Sequence, residues 1–236
     1  MARSGKGEIR AVLTANDVVF FLDVDNTLLD NDRFGEDLGD RLEQSFGAFE
    51  KARYWSIIAR RREELGLVDY LGSLQEFRAG LDDHAELLEM SEFLLEYPFA
   101  ERLFPRSLEA VAHLASFGRP VVLSDGDIVF QPRKIQRSGI WAAVEGRVLI
   151  YLHKEKVLDH VQSRYPAKHY VMVDDKSNLL AAMKHILGPR LTTVFVRQGH
   201  YANDPHAKAV DPAPDLVIER IEDLIPLKLT DFKVPL

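Results

Sequence analysis

The chain has 236 residues, 46% of them hydrophobic, enough to bury a sizeable core as one large domain or as a core domain with a smaller companion. Its formal net charge of −7 argues against a broad basic surface for nucleic acid. There is no Cys, which excludes disulfides and thiol chemistry, and no apolar run approaches the ~20 residues of a membrane span.

Residues 1–10 read as a loose arm, with Gly5 and Gly7 against early structure. Residues 1–17 lack the apolar stretch of a signal peptide, so a soluble, cytoplasmic protein is expected. Val18 to Leu22 form a short apolar run that ends at Asp23, with Asp25 two positions on. Such a run predicts a strand over 18–23 buried on both faces. Side chains two apart share a face, so both carboxylates enter one crevice beyond the strand end. They repel there, and a bound cation or a shared proton relieves the cost of burying them. A strand followed by a polar turn uses the same residue types, so the pair alone leaves the two readings level.

Asp30-Asn31-Asp32 reads as a turn. From Arg33 to Tyr97 strand signals give way to helical ones. Residues 48–65 lack Gly and Pro and set Trp55, Ile58, Ala59 and Arg62 at helical spacing. Asp82-Asp83 opens another helix, in which Leu87, Leu88, Ser91, Leu94 and Leu95 form one stripe, and Pro98 ends it. These stripes, with Tyr54 and Trp55, read as the core of a small bundle. Lys51, Arg53, Arg60, Arg61 and Arg62 make a basic row, either a solvated face or a contact for an anion.

Strand and helix then alternate. Helices are predicted over 105–117, 133–138, 155–164 and 178–187, and strands over 121–123, 147–151, 170–173, 192–196 and 216–218. This alternation predicts an α/β fold with a doubly wound parallel sheet. The expected division is a core of residues 1–29 and 99–236, interrupted by an all-helical insertion at 30–98.

Three more predicted strand ends carry polar chemistry. Ser124-Asp125-Gly126-Asp127 offers a hydroxyl and backbone N–H groups suited to a phosphate, although it is also good turn chemistry. Lys154 and Lys156 open a helix where a cation is locally unfavourable, which suits either a nearby anion or solvation. Asp174-Asp175 follows the strand at 170–173, with Asn178 four positions after Asp174; the acids also suit a helix N-cap.

The string Leu22-Asp23-Val24-Asp25-Asn26-Thr27-Leu28 resembles the first motif of the haloacid dehalogenase superfamily, a strand followed by D-x-D-x-T-L. Ser124, a Lys at 154 or 156, and Asp174 with Asn178 match its second, third and fourth motifs, in order, so the resemblance covers residues 18–200. It implies a Rossmann-like core with a helical cap. It also implies that Asp23 is a nucleophile forming an aspartyl-phosphate and that Asp25 is the acid and base. Mg²⁺ is then held by Asp23, the Asp25 backbone carbonyl and Asp174, while Ser124, the Asp125 N–H and Lys154 bind the phosphoryl oxygens. Lys154 is preferred to Lys156, and Asp175 becomes a second metal-side or supporting acid. The implied activity is Mg²⁺-dependent hydrolysis of a small phosphorylated metabolite, with no nucleic acid or membrane partner. Dehalogenases of the superfamily lack the second acid and need no metal. A sugar-phosphate mutase, a dehalogenase-type hydrolase and a non-catalytic phospho-ligand-binding protein are the alternatives. Substrate choice is expected in the cap, with His200 and Tyr201 reaching the site edge.

Overall fold

In a computed structural model, residues 17–81, 84–203 and 210–234 are described. The expected arm at 1–10 and the helix start at Asp82-Asp83 lie outside them.

The first strand, β1 (Val18–Leu22), is buried along its whole length. Val18, Phe20 and Leu22 face one apolar cluster and Val19 and Phe21 the other, as strand alternation dictates. It pairs in parallel with β2 (Arg119–Asp125) and β4 (His169–Asp174). β3 (Val148–Tyr151) adds to β2, while β5 (Leu191–Val196) and β6 (Leu216–Ile218) extend the other side. The result is a six-stranded parallel sheet in the order β3-β2-β1-β4-β5-β6. The predicted strands are all present: β2, β4 and β5 run longer than the sequence suggests, β1 and β3 each stop or start one residue short, and β6 has the expected bounds.

Helices cover both faces. On one side lie α4 (Ser107–Ala115), α5 (Phe130–Arg137) and the short α6 (Ile140–Ala143), through Val111, Leu114, Ile135 and Ile140. On the other lie α7 (Leu158–Arg164) and α8 (Ser177–Leu187), through Leu158, Val161, Leu180 and Met183. This is the doubly wound α/β arrangement. The chain runs from β1 outward to β2 and β3, then returns to β4 beside β1. Ligands in such sheets bind beyond the strand ends where the winding reverses, and β1 and β4 flank that point.

Between β1 and α4 come α1 (Asn31–Leu65), α2 (Tyr70–Phe77) and α3 (His84–Glu96). The expected turn at 30–32 is instead a helix start: the Asp30 carboxylate accepts the Arg33 N–H and so caps α1. At Gly47 the backbone leaves the helical region (φ 84°, ψ 168°), dividing α1 into two runs. Gly66 closes the second run, its N–H bonded to the Arg62 carbonyl.

The apolar cluster of these helices is continuous with that of one sheet face. An aromatic group makes the join. The Phe34 ring of α1 lies 5.1 Å from Phe99 and 5.7 Å from Phe130 of α5, and Tyr70 of α2 lies 5.1 Å from Phe130. Among the described residues no helix is long and apolar enough to cross a membrane.

Candidate active site

Asp23 follows β1 directly, and its N–H is held by the Val173 carbonyl of β4 at 3.0 Å. Its carboxylate is therefore placed by the two strands at the reversal point. Lys154, in a one-turn 3-10 helix after β3, is fully buried there. Its ammonium donates to Asp23 Oδ1 at 2.6 Å, to Asp174 Oδ2 at 2.7 Å and to the Leu123 carbonyl at 3.2 Å. The Asp125 side chain fixes this turn by accepting the Lys154 N–H at 2.7 Å. Lys156 is exposed, so the lysine that reaches the acids is Lys154.

Asp174 ends β4, and its Oδ1 accepts the Lys176 N–H at 2.8 Å. Asp175, next to it, is fully buried, and neither of its carboxylate oxygens has a hydrogen-bond partner among the described residues. One carboxylate oxygen from each of Asp23, Asp174 and Asp175 lies within 4.8 Å of the other two. Asn178 is exposed on α8.

Electrostatics follow from this crowding. Burial pushes the Asp23 carboxyl up to about 7; Lys154 pulls it down and Asp174 adds to the rise. Burial, with Asp174 and Asp23 beside it, pushes Asp175 up to about 9. Burial opposes the Lys154 charge, yet Asp174, Asp23 and Asp125 together raise it above the ordinary lysine range. Lys176 adds a second positive charge, which pulls Asp23 and Asp175 down; burial opposes this charge, and Asp23, Asp174 and Asp175 raise it.

The second strand end is assembled around Gln131. The Ser124 hydroxyl oxygen accepts from Gln131 Nε2 at 3.0 Å. A Cβ on Gly126 would lie 2.9 Å from the Gln131 Cβ, so only glycine lets this side chain pass. Just ahead of α5, Asp127 Oδ1 accepts the N–H groups of Val129 at 2.8 Å and Phe130 at 2.6 Å.

No protein-family model and no curated protein matches the chain. Solved structures do. One from Burkholderia xenovorans LB400, described as a haloacid dehalogenase-like hydrolase, is 56% identical over 90% of this chain and 99% of its own, with a TM-score of 0.84. The chain belongs to the haloacid dehalogenase-like hydrolases. A HAD-hydrolase from Bacillus subtilis bound to magnesium (18% identity, 87% of this chain and 96% of that one, TM-score 0.58) shares the fold. So does an L-2-haloacid dehalogenase (17% identity, 88% and 97%, TM-score 0.58).

In this haloacid dehalogenase-like hydrolase a cavity of about 1110 Å³ lies beyond the strand ends, reached by Asp25 and Asp125, while Asp23, Ser124, Lys154 and Asp174 stay buried beneath its lining. Trp55, Ile58 and Arg62 of α1 line one wall, and Asp25, Asp125, Lys176 and His200 the other. The basic row of α1 divides. Arg53 lies 4.5 Å from the Phe77 ring centre, Arg60 pairs with Glu64 and Glu76, and Arg61 pairs with Asp69, all within the insertion. Lys51 lines the cavity while paired with Glu43 at 2.7 Å. Arg62 reaches across it, donating to the Tyr201 hydroxyl at 2.7 Å. His200 does reach the site edge, its Nδ1 2.6 Å from Asp32 Oδ1. Tyr54 is buried in the insertion, bonded to the Tyr70 carbonyl at 2.9 Å.

Asp25 also lines the cavity, but its carboxylate meets partners that the motif does not name. Oδ1 accepts from Lys134 Nζ at 2.7 Å and Oδ2 from Gln131 Nε2 at 3.2 Å. Sequence reading missed both residues. The available signal was their spacing: positions 131 and 134 share a helix face. The helix predicted over 133–138 started too late to include Gln131.

Proposed function

We propose that this hydrolase is an Mg²⁺-dependent phosphohydrolase acting on a small phosphorylated metabolite through an aspartyl-phosphate on Asp23. The observation that carries the reading is the Asp175 carboxylate, buried and unpartnered beside Asp23 and Asp174. A buried acid without partners is costly, and a hard divalent cation is what an all-oxygen set of donors suits. Asp23, Asp174 and the Asp25 carbonyl would hold Mg²⁺, with Asp175 beside them. Once bound it would neutralise phosphate charge and orient the ester. The magnesium in the Bacillus subtilis protein supports this use of the fold.

The reaction is then carried by the chain's own residues. Lys154, Ser124 and the Asp125 N–H hold the phosphoryl oxygens. A carboxylate oxygen of Asp23 attacks phosphorus as the bond to the ester oxygen breaks, and Asp25 gives that oxygen a proton. Asp25 then takes a proton from water as the water oxygen attacks the aspartyl-phosphate. Phosphate leaves and Asp23 is restored. The wall formed by α1 would serve as the cap that excludes water and selects the leaving group.

A dehalogenase reading has its own observation. Lys154 bridges Asp23 and Asp174 directly, so part of the acid charge is balanced without a metal. Asp23 would then attack carbon and expel halide. Halide departure needs no proton, which leaves Asp25 and its partners without a task.

The test compares phosphate release from 4-nitrophenyl phosphate with chloride release from 2-chloropropionate, each with Mg²⁺ and after chelation. Rapid quenching of Asp25→Asn and intact-mass spectrometry would follow. The expected result is Mg²⁺-dependent phosphate release and a phosphoryl adduct that Asp23→Asn abolishes. Chloride release unaffected by chelation would establish the dehalogenase reading instead. Tight binding of phosphorylated compounds with neither turnover nor adduct would make the protein a phospho-ligand-binding one.

A further inference from the structure

Lys134 lies on α5, outside all four motifs in the sequence, and is only 1% exposed. Its ammonium donates to Asp25 Oδ1 at 2.7 Å and to Asn31 Oδ1 at 2.8 Å. The rings of Phe34, Phe99 and Phe130 surround it, their centres 5.9, 5.8 and 5.4 Å away. Burying an ammonium in such a wall is expensive unless it is well partnered, and a methionine would fill the same space without that cost.

Gln131, one turn earlier, completes the arrangement. The same Nε2 reaches Asp25 Oδ2 at 3.2 Å and Ser124 Oγ at 3.0 Å. Both oxygens of Asp25 are thus gripped from behind, while its side chain stays 29% exposed and lines the cavity. A carboxylate offers about four lone-pair sites, so one on each oxygen is left for a proton.

We propose that Lys134 is the positioning residue for Asp25, and that Gln131 ties Asp25 to the phosphate-binding Ser124. The inference rests on the phosphohydrolase reading above. Proton transfer to a leaving oxygen requires the acid within roughly 2.6–3.2 Å. A short, part-exposed aspartate free to rotate would turn to water for much of the time. Lys134 and Gln131 hold it in one rotamer facing the cleft. In the transfer, the proton passes from an Asp25 oxygen to the ester oxygen as the phosphorus–oxygen bond breaks; Lys134 keeps its three protons throughout. Asn31 is the first residue of α1, so the same ammonium fixes Asp25 relative to the start of the helical insertion.

The test uses the full chain with Mg²⁺ and two esters. Propyl phosphate has a poor leaving group that needs protonation; 4-nitrophenyl phosphate has a good one that does not. Lys134→Met should slow phosphorylation by propyl phosphate ~10²–10³-fold, the lower part of the ~10²–10⁴-fold that acid–base catalysis contributes. The first-turnover burst of nitrophenolate should stay within about threefold of wild type, since proton transfer hardly contributes there. Lys134→Arg should recover part of the propyl phosphate rate. In an Asp25→Asn background, Lys134→Met should add no further loss. Equal losses on both esters, an unchanged propyl phosphate rate, or an added loss in the Asp25→Asn background would each overturn the proposal. Should a thermal melt show Lys134→Met unfolded, Gln131→Leu is the substitute and should give a smaller loss with the same dependence on leaving group; no such dependence would overturn it. A wild type that cleaves neither ester refutes the phosphohydrolase reading, and this inference with it; a wild type that cleaves both isolates the role of Lys134.

Discussion

Lys154 Nζ lies 2.6 Å from Asp23 Oδ1, although 131 positions separate the two residues in the chain. Both are buried, and the same ammonium also serves Asp174. Removing one partner of a buried pair leaves the other charge uncompensated, which typically costs about 3–5 kcal/mol. Lys154→Met should therefore lower stability by about that amount and abolish turnover. Millimolar Mg²⁺ should restore part of the melting temperature without restoring activity. Thermal melts with and without the ion, beside a phosphate-release assay, check both halves.

Asp174 and Asp175 make the metal expectation specific. A ligand that binds only the folded state adds about 2.7 kcal/mol of stability at a hundred times its dissociation constant. Mg²⁺ should thus raise the wild-type melting temperature by several degrees. Asp174→Asn should remove most of that rise, and Asp175→Asn a substantial part. An equal rise in all three proteins would show that the ion binds elsewhere.

Arg62 crosses the cavity to Tyr201 from an exposed position. Exposed pairs contribute little to stability, so Arg62→Ala should change the melting free energy by less than about 0.5 kcal/mol. If the proposed phosphohydrolase reading holds, its place on the cavity wall would bring it to the leaving group instead. The variant should raise KM several-fold for the preferred phosphate ester and leave kcat nearly unchanged. A fall in kcat with KM constant would put Arg62 in the chemical step.

Asp215 gives a pH dependence far from the cavity. Burial alone would raise its carboxyl, but hydrogen bonds from Lys184, the Thr193 N–H and Lys233 outweigh that and hold it at about 2. The unfolded value is about 3.9. The folded state therefore gains from Asp215 at any pH above that value, and the gain is lost as pH falls through about 2. Allowing for partial solvent screening, it amounts to about 1–2 kcal/mol. Asp215→Asn should melt lower than wild type at neutral pH, with the difference shrinking below about pH 4. A difference independent of pH would assign the loss to packing.

The site was legible where chemistry sits at the end of a short apolar run. Asp23, Ser124 and Asp174 each follow such a run, and burial on both faces forces those runs into strands. The motif alone favours Lys154 over its neighbour Lys156; burial of one and exposure of the other is what separates them. Asp175 was ambiguous because an N-capping acid and a metal-side acid look alike until hydrogen-bond partners are known. Lys134 and Gln131 were illegible for another reason. Their meaning depends on which way α5 faces, and that helix starts earlier than composition suggests. The start of α1 was hidden likewise: Asp30-Asn31-Asp32 has turn chemistry, and only the bond from the Arg33 N–H to Asp30 makes it a cap.

The strand order β3-β2-β1-β4-β5-β6 brings Asp23 from β1, Ser124 from β2, Lys154 from after β3 and Asp174 from β4. No contiguous stretch holds more than a fraction of the reacting groups. Parallel pairing joins distant segments and is intrinsically slow, whereas helices of the length of α1 form within about a microsecond. On refolding from denaturant, helical signal should return well before hydrolase activity. Recovery of turnover would then report when Asp23, Ser124, Lys154 and Asp174 have all been brought together.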